Sequence, residues 1–446
     1  MTQALASSRL SRFNMLRKVF LVVIASLLAC AMWLWVQRIA IPHQQAESVA
    51  RDAPRGNLSD LYPRWLGARE LLLHGRDPYG ADITREIQIG YYGRLLDPAR
   101  PNDPKDQQAF AYPLYVVFLL APTVALPFPV VQRILFWLFV FLAGVSVLLW
   151  LRALRWHLSA SAKLVWILLT LSCFPAIQGI KLQQLSVLVT AFIAAFFLAL
   201  SRRYFVWAGI FLAVATIKPQ LVALPILWLC LWVLGNWRDR QRAFWSFGIA
   251  SVVLVAAGEV LLPGWIQEFR AALANYYQYT GGGKSVLDVV LSPIWGRLVS
   301  GLLVALLAIY TWQVRRSSED SIQFQWSFTL ALAVTLAVIP MFAPYNQLLL
   351  VPGLMIIGRS VHDLWAKGPL PRFFVVITAI AVFFPFAGAV LLDVALMFLP
   401  GSRVQVGWGL PFYPSFAIPI TILALLLVTR GVIKPQSNRQ SAIGAS

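Results

Sequence analysis

The chain has 446 residues, of which 59% are hydrophobic and 12% are charged, and its mean hydropathy is +0.71. Soluble domains are nearer half apolar and a quarter charged, so this composition excludes a soluble enzyme, a disordered chain and a disulfide-built secreted domain. The net charge of +19 comes from short basic clusters between apolar runs, which is typical of membrane-protein loops and not of nucleic-acid-binding domains. The sequence therefore predicts an all-α, polytopic integral membrane protein that contacts membrane lipids and no nucleic acid.

Thirteen apolar runs approach the length of about 20 residues that a membrane-spanning helix needs. We expect a cytoplasmic N-terminal segment at 1–18, a first membrane helix at 19–40, a helical bundle at 111–430 and a cytoplasmic tail at 431–446. The runs lie at 19–38, 112–128, 133–151, 164–180, 185–201, 204–217, 219–235, 244–263, 291–312, 324–342, 345–358, 373–398 and 413–429.

Lysine and arginine mark the cytoplasmic loops of membrane proteins, and they set the orientation here. Basic residues including Arg17 and Lys18 precede the first helix, and the later basic clusters are separated by two helices each. We therefore expect a protein of the cytoplasmic (inner) membrane whose active site faces outside. Two runs, 112–128 and 133–151, separate the large outer segment from the next basic cluster. If both crossed the membrane, that basic cluster would lie outside, so the positive-inside rule requires only one crossing. Twelve crossings are favoured over thirteen, and prolines make 112–128 the weaker candidate.

The only long polar segment, 41–110, holds ten of the 18 acidic residues. Within it, the apolar spacing of Leu61, Trp65, Ala68 and Leu72 predicts a short amphipathic helix. We therefore expect an ordered extracytoplasmic loop that carries short amphipathic helices. Its second half, from Asp97 to Gln108, is rich in proline and aspartate and is predicted to be plain loop.

Polar side chains lie in the outer turns between the apolar runs, where they are costly and usually mark a site. These residues are Gln184, Lys218, Gln220, Tyr345 and Gln347. Together with Asp60 of the large loop, they are predicted to surround one cavity. Helix capping and snorkelling are the alternative. A buried lysine can neutralise a phosphate, and a carboxylate can act as general base for a hydroxyl.

Sequence motifs for common cofactors are absent. There is no phosphate-binding loop, no dinucleotide fingerprint, no zinc-protease motif and no paired-cysteine motif. The four histidines lack the spacing of metal ligands. We expect no cofactor and no metal ligands, and metal dependence itself is left open.

A series of short motifs adds a family resemblance. They are Asp60-Leu61-Tyr62, Gly75-Arg76-Asp77-Pro78-Tyr79, Phe110-Ala111-Tyr112-Pro113-Leu114, Lys181-Leu182-Gln183-Gln184-Leu185-Ser186, Ile217-Lys218-Pro219-Gln220 and Pro344-Tyr345-Asn346-Gln347. In order and spacing the series resembles glycosyltransferase family 87, membrane enzymes of the GT-C fold that use a polyprenyl-phosphate-linked mannose. Two departures stand out: Gln183 replaces a glycine of the family pattern, and Ser186 stands at an asparagine position.

The resemblance implies a hexosyltransferase with an acidic residue of the first outer loop as catalytic base, a role that falls on Asp60. In that mechanism Lys218, with Arg64 or Arg69, would stabilise the charge that develops on the phosphate, and Tyr112 is a candidate substrate-binding residue. The donor would be a polyprenyl-phosphate sugar, with mannose the expected hexose. The acceptor would be a lipid-linked or glycan molecule. For Asp60, a helix N-cap is the alternative.

Two other functions are compatible with a many-helix membrane protein. A lipid-linked sugar transporter or flippase would be expected to have inverted repeats with matching broken helices, and no such symmetry is evident. A surface-polysaccharide polymerase would be expected to carry its large loop late in the chain. Here the large loop follows the first helix, which favours the transferase.

Overall fold

The computed structural model describes residues 2–50, 59–97, 99–279, 282–340 and 342–429. Every regular element in these ranges is helical, so the all-α prediction is confirmed. The predicted cytoplasmic tail at 431–446 lies outside the described residues.

Twenty α-helices follow one another along the described ranges, joined in places by short 3-10 turns. They are α1 Thr2–Trp35, α2 Ile41–Ala50, α3 Tyr62–His74, α4 Ala81–Tyr92, α5 Val116–Leu120, α6 Phe128–Ala153, α7 Ala160–Ser172, α8 Phe174–Lys181, α9 Ser186–Ser201, α10 Phe205–Ala215, α11 Pro219–Leu234, α12 Trp237–Leu261, α13 Trp265–Tyr279, α14 Val286–Leu291, α15 Pro293–Val314, α16 Ile322–Val338, α17 Val351–Ala366, α18 Pro369–Ala395, α19 Gly401–Val404 and α20 Ala417–Thr429.

Seven helical stretches in the described ranges are long and apolar enough to cross a membrane. The pair α7 and α8, bent by 58° at Cys173, makes an eighth. The shorter apolar helices α9, α10, α11 and α16 bring the apolar helical segments to twelve. The protein is thus a multi-pass membrane protein. By length alone it has fewer full spans than the twelve or thirteen that the sequence predicts.

The first membrane helix is longer than predicted. Instead of ending at 40, the helix runs from Met15 to Ala50 through one π-helical turn at Val36–Ala40. The wider turn directly precedes Pro42, where a regular α-helix would have to accommodate the proline ring. Residues 41–50, assigned to the outer loop from the sequence, therefore continue the first helix.

The run 112–128 does not form a spanning helix. Only Val116–Leu120 is α-helical, followed by a 3-10 turn at Ala121–Thr123. Pro113, Pro122 and Pro127 prevent a long helix by removing backbone donors. Between 112 and 153, α6 is accordingly the single apolar helix of spanning length, as one crossing requires.

The predicted amphipathic helix of the large loop is present as α3, and its apolar face is buried at Leu61, Trp65 and Ala68. The chain from 93 to 115 contains no helix in its described residues, as predicted for 97–108. The start of α3 is tied to the membrane helices, because the Asp60 amide donates to the Leu182 carbonyl over 2.9 Å. The large loop therefore packs on the ends of the helical bundle and places Asp60 beside the turn between α8 and α9.

Candidate active site

A cavity of about 340 Å³ lies where the large loop meets the turns at one end of the bundle. Six separate segments contribute side chains to it: the start of α3, the loop 106–113, the α8–α9 turn, the α10–α11 turn, α13 and the segment after α16. The polar residues that line it are Asp60, Arg64, Asp106, Gln108, Tyr112, Gln184, Lys218, Gln220, Tyr276, Tyr277, Tyr345 and Asn346. This volume is within the range of ligand pockets, roughly 300–1,000 Å³.

The carboxylate of Asp60 faces this cavity and does not cap a helix. The N-cap of α3 is Leu61, and it has no side-chain cap hydrogen bond. Instead, the Gln184 side-chain amide donates to Asp60 Oδ2, and the Tyr91 hydroxyl approaches Oδ1 at 3.3 Å. The capping alternative is therefore wrong, and the half-buried carboxylate keeps acceptor capacity toward the cavity.

Lys218 lies in the turn between α10 and α11 and is 5% exposed. Its ammonium donates to Gln184 Oε1 and to Ser186 Oγ, each over 2.7 Å. The Tyr345 ring lies 5.0 Å from Nζ, close enough for a cation–π contact. Burial, aided by the positive charge of Arg64, lowers the pKa of Lys218 to about 7. The lysine is therefore a desolvated cation near neutral pH, with one N–H left for a ligand.

The side-chain amide of Gln184 joins the two charges. Its nitrogen donates to Asp60 and its oxygen accepts from Lys218. The carboxylate and the ammonium are thus held on opposite ends of one amide group and do not form a direct ion pair. Such a direct ion pair would leave both groups less available to a substrate.

The two departures from the family pattern acquire a structural role. Gln183, which replaces a glycine, has a φ of 52° in the left-handed region that favours glycine. Its side chain accepts from Ser59 Oγ over 2.5 Å and donates to the Gln132 carbonyl. These bonds offset a backbone strain of about 1–2 kcal/mol. Gln183 thereby ties the residue before Asp60 to the α8–α9 turn.

Ser186, at the asparagine position, connects the lysine to a fourth segment. Its hydroxyl accepts from Lys218 and donates to Asn346 Oδ1 over 2.7 Å. Both Ser186 and Asn346 are buried. The polar chain therefore extends from Asp60 through Gln184, Lys218 and Ser186 to Asn346.

Arg64 supplies a second cation one helical turn after Asp60. Its guanidinium donates to the Asp60 carbonyl over 2.8 Å and lies 4.7 Å from the Tyr112 ring. Burial raises the pKa of Tyr112, and likewise that of Tyr276, to about 12. Both hydroxyls therefore stay neutral and can donate hydrogen bonds to a substrate.

Two residues predicted for the site lie elsewhere. Arg69 does not line the cavity, and its guanidinium lies 5.4 Å from the Trp65 ring. Gln347 is buried and donates to the Ser415 carbonyl over 2.6 Å. Gln220 and Tyr345 do line the cavity, as do Asp60, Arg64, Tyr112, Gln184 and Lys218.

Several lining residues were not among the predicted site residues. Asp106 and Gln108 come from the proline-rich stretch predicted to be plain loop, and Tyr276 and Tyr277 come from α13. The closeness of Asp106 and Gln108 to the Tyr112 motif, and the tyrosine repeat Tyr276-Tyr277-Gln278-Tyr279, were the available signals. Among the described residues, no group of three His, Cys, Asp or Glu side chains is placed to hold a metal ion.

Comparison with known proteins identifies one family. The model of glycosyltransferase family 87 matches residues 110–344, a little over half of the chain. The match includes the α8–α9 turn, the α10–α11 turn and α13, which line the cavity, and it begins after Asp60. No curated protein and no solved structure matches the chain.

Proposed function

The chain belongs to glycosyltransferase family 87, and from that premise we propose that it is a membrane hexosyltransferase. The hexose, with mannose as the expected sugar, would move from a polyprenyl-phosphate carrier to a lipid-linked or glycan acceptor. The observation that carries the proposal is the amide of Gln184, which holds the Asp60 carboxylate and the Lys218 ammonium at one cavity. A general base and an anion-binding cation are the two groups that such a transfer needs.

Asp60 is the proposed general base. Its carboxylate would accept the proton of an acceptor hydroxyl as the hydroxyl oxygen forms a bond to the anomeric carbon of the donor. The hydrogen bonds from Gln184 and Tyr91 fix the carboxylate orientation. Proton transfer to a positioned base contributes typically 100- to 10,000-fold to rate.

Lys218 and Arg64 are the proposed leaving-group binders. As the bond between the anomeric carbon and the phosphate oxygen breaks, the electron pair stays on the lipid phosphate. The Lys218 ammonium, which makes two hydrogen bonds to the protein, and the Arg64 guanidinium would stabilise that charge in a desolvated site. The Tyr112 ring lies against the Arg64 guanidinium, and the Tyr112 hydroxyl can donate to the sugar or the phosphate. We include Gln220 and Tyr345 as lining residues that contact substrate.

The place of the cavity suits a lipid-linked donor. It opens at the ends of the apolar helices α10 and α11, beside the amphipathic helix α13. A phosphate at Lys218 would leave a polyprenyl chain at the level of the bilayer. By the charge distribution of the loops, we place this face outside the cytoplasmic membrane. A transporter needs no general base, so the carboxylate in the cavity favours transfer.

The test is transfer of radiolabelled mannose from synthetic polyprenyl-phosphate-mannose by the purified protein. We expect wild-type protein to transfer the label and Asp60→Asn to lose at least about 100-fold in kcat. Asp82→Asn serves as the matched control, because Asp82 is an exposed carboxylate of α4 outside the cavity. Equal rates for Asp60→Asn and wild type would remove Asp60 from the mechanism. Transfer from another polyprenyl-phosphate sugar, but not from the mannose donor, would mean that the donor sugar is wrong and that the proposed transfer reaction stands.

A further inference from the structure

A second cleft, of about 560 Å³, lies beside the catalytic cavity in the extramembrane part of the protein. The loop after α4 and the C-terminal end of α13 form its sides. The same two segments also line the catalytic cavity. Gln107 and Gln278 face the cleft, whereas Asp106 and Tyr277 face the cavity. The two spaces therefore share a wall, and a molecule that extends beyond the cavity rim at this wall enters the cleft.

The lining of the cleft has the chemistry that binds sugar hydroxyls. An aromatic ring comes from Tyr279, amide groups come from Gln88, Gln107 and Gln278, and charged groups come from Asp97, Arg100, Asp103 and Lys105. Amides donate and accept hydrogen bonds at once, as sugar hydroxyls do. The Tyr279 hydroxyl is buried and has no hydrogen-bond partner among the described residues. Because that hydroxyl is shielded from solvent, Tyr279 contributes its ring to the cleft, and the hydrogen bonds to a ligand come from the amides.

The loop side of the cleft is held in place by its own hydrogen bonds although it contains no helix. Arg94 forms an ion pair with Asp103, and Asp103 also accepts from the Asp97 amide over 2.7 Å. Gln88 Oε1 accepts from the Leu96 amide over 3.2 Å. The Tyr92 hydroxyl donates to the Asp106 carbonyl over 2.6 Å. A pre-organised surface of this kind loses little entropy when it binds a ligand.

From this geometry we propose that the cleft is a subsite for sugar units of the acceptor beyond the one that is attacked, so that the acceptor is an oligosaccharide of at least two or three hexoses. The inference rests on the proposed function. The donor places its one sugar in the cavity and its lipid toward the bilayer. The remaining sugars of the acceptor are polar and linked to the reacting centre, as a ligand of this cleft must be. Gln107 and Gln278, which face the cleft from its two sides, are the specificity residues of this subsite.

The experiment compares two acceptors of different length, octyl α-mannoside and octyl α-mannotrioside, with polyprenyl-phosphate-mannose as donor. For wild type, we expect a lower KM for the trisaccharide. In the double variant Gln107→Ala with Gln278→Ala, the KM for the trisaccharide should rise about 10-fold, the loss of two hydrogen bonds. The kcat and the KM for the monosaccharide should stay unchanged. Gln267→Ala, on an exposed position of α13 outside both spaces, is the matched control.

Equal KM values of wild type for the two acceptors, or an equal loss for both in the double variant, would overturn the subsite. Saturation-transfer NMR with free mannotriose gives a readout that needs no turnover. Wild-type protein in nanodiscs should give a signal that the double variant loses and the control keeps. If mannose transfer fails but this binding difference is seen, the proposed donor is wrong and the subsite stands. If transfer succeeds and neither measurement distinguishes the variants, the subsite is wrong and the proposed function stands.

Discussion

Replacing Lys218 with methionine should abolish transfer without destabilising the protein. Burial, with the neighbouring positive charge of Arg64, lowers the pKa of this lysine from 10.5 to about 7. At about 1.4 kcal/mol per pKa unit, keeping Lys218 charged costs the fold roughly 5 kcal/mol as an order of magnitude. Methionine of similar length removes this cost. It also leaves Gln184 Oε1 and Ser186 Oγ without a donor, at about 1–3 kcal/mol each. The two effects nearly cancel.

The cost of burying the Lys218 charge should also make the stability of the protein depend on pH. The folded protein loses the Lys218 proton as pH rises through about 7, whereas an unfolded lysine keeps its proton to about 10.4. Between these values the unfolded state binds more protons, so stability rises with pH through this window. The rise should be present in wild type and absent in Lys218→Met.

The assay has two parts, mannose transfer and thermal unfolding followed by tryptophan fluorescence at pH 6 to 9. We expect kcat of Lys218→Met to fall at least about 100-fold, the loss of one electrostatic donor, with Tm at pH 7 unchanged or raised. Lys181→Met is the control, since Lys181 donates to Gln44 over 2.6 Å and lies outside the cavity. A Tm several degrees below wild type would mean that Lys218 is structural, and unchanged kcat would remove it from phosphate binding.

Three further outcomes follow from the site. The kcat/KM for the donor should fall about tenfold per unit as pH rises above about 7, because free Lys218 loses its proton, and a pH–rate profile checks this. Gln184→Leu should lower kcat about 10- to 100-fold with little loss of secondary structure by circular dichroism, because Asp60 and Lys218 lose their common partner. Arg64→Ala should raise the KM for the donor at least about tenfold, whereas Arg69→Ala should stay within about twofold of wild type in the same kinetic assay.

The sequence predicts the helical membrane architecture well because hydropathy reports burial in lipid directly. It also predicts that polar turns on one face come together, because the basic clusters fix which turns share that face. The failures have local causes. The prediction ended the first helix at 40, but the π-helical turn at Val36–Ala40 lets the helix continue past Pro42. No hydropathy pattern signals such a turn.

Side-chain direction explains the two misplaced site residues. Arg69 follows Arg64 by five positions, which turns it about 140° around a helix at 100° per residue. Only one of the two can face the cavity. In the 3-10 turn Pro344–Leu350, Gln347 is two residues from Tyr345 and lies about 120° away from it. The sequence gives the spacing of these pairs, but the angle between the two side chains also depends on the bounds and type of each helix, which the sequence does not show.

The residues that the prediction missed depend on tertiary contacts between distant segments. Asp106 reaches the cavity because its loop is fixed by side chains such as Tyr92, which donates to the Asp106 carbonyl. Tyr276 reaches it from α13, a helix distant in the chain from Asp60. Hydropathy distinguishes neither position from an ordinary surface loop or an amphipathic helix.

The amide of Gln184 explains how a base and a cation work in one desolvated cavity. Two opposite charges 4 Å apart attract by about 4 kcal/mol at an effective dielectric constant of 20. A direct pair of Asp60 and Lys218 would lower the basicity of the carboxylate and occupy the ammonium. With the amide between them, each charge has a neutral partner. Gln184→Glu would place a second carboxylate beside Asp60 and pair Lys218 directly. It should therefore reduce transfer more than Gln184→Leu, although glutamate is nearly the same shape as glutamine.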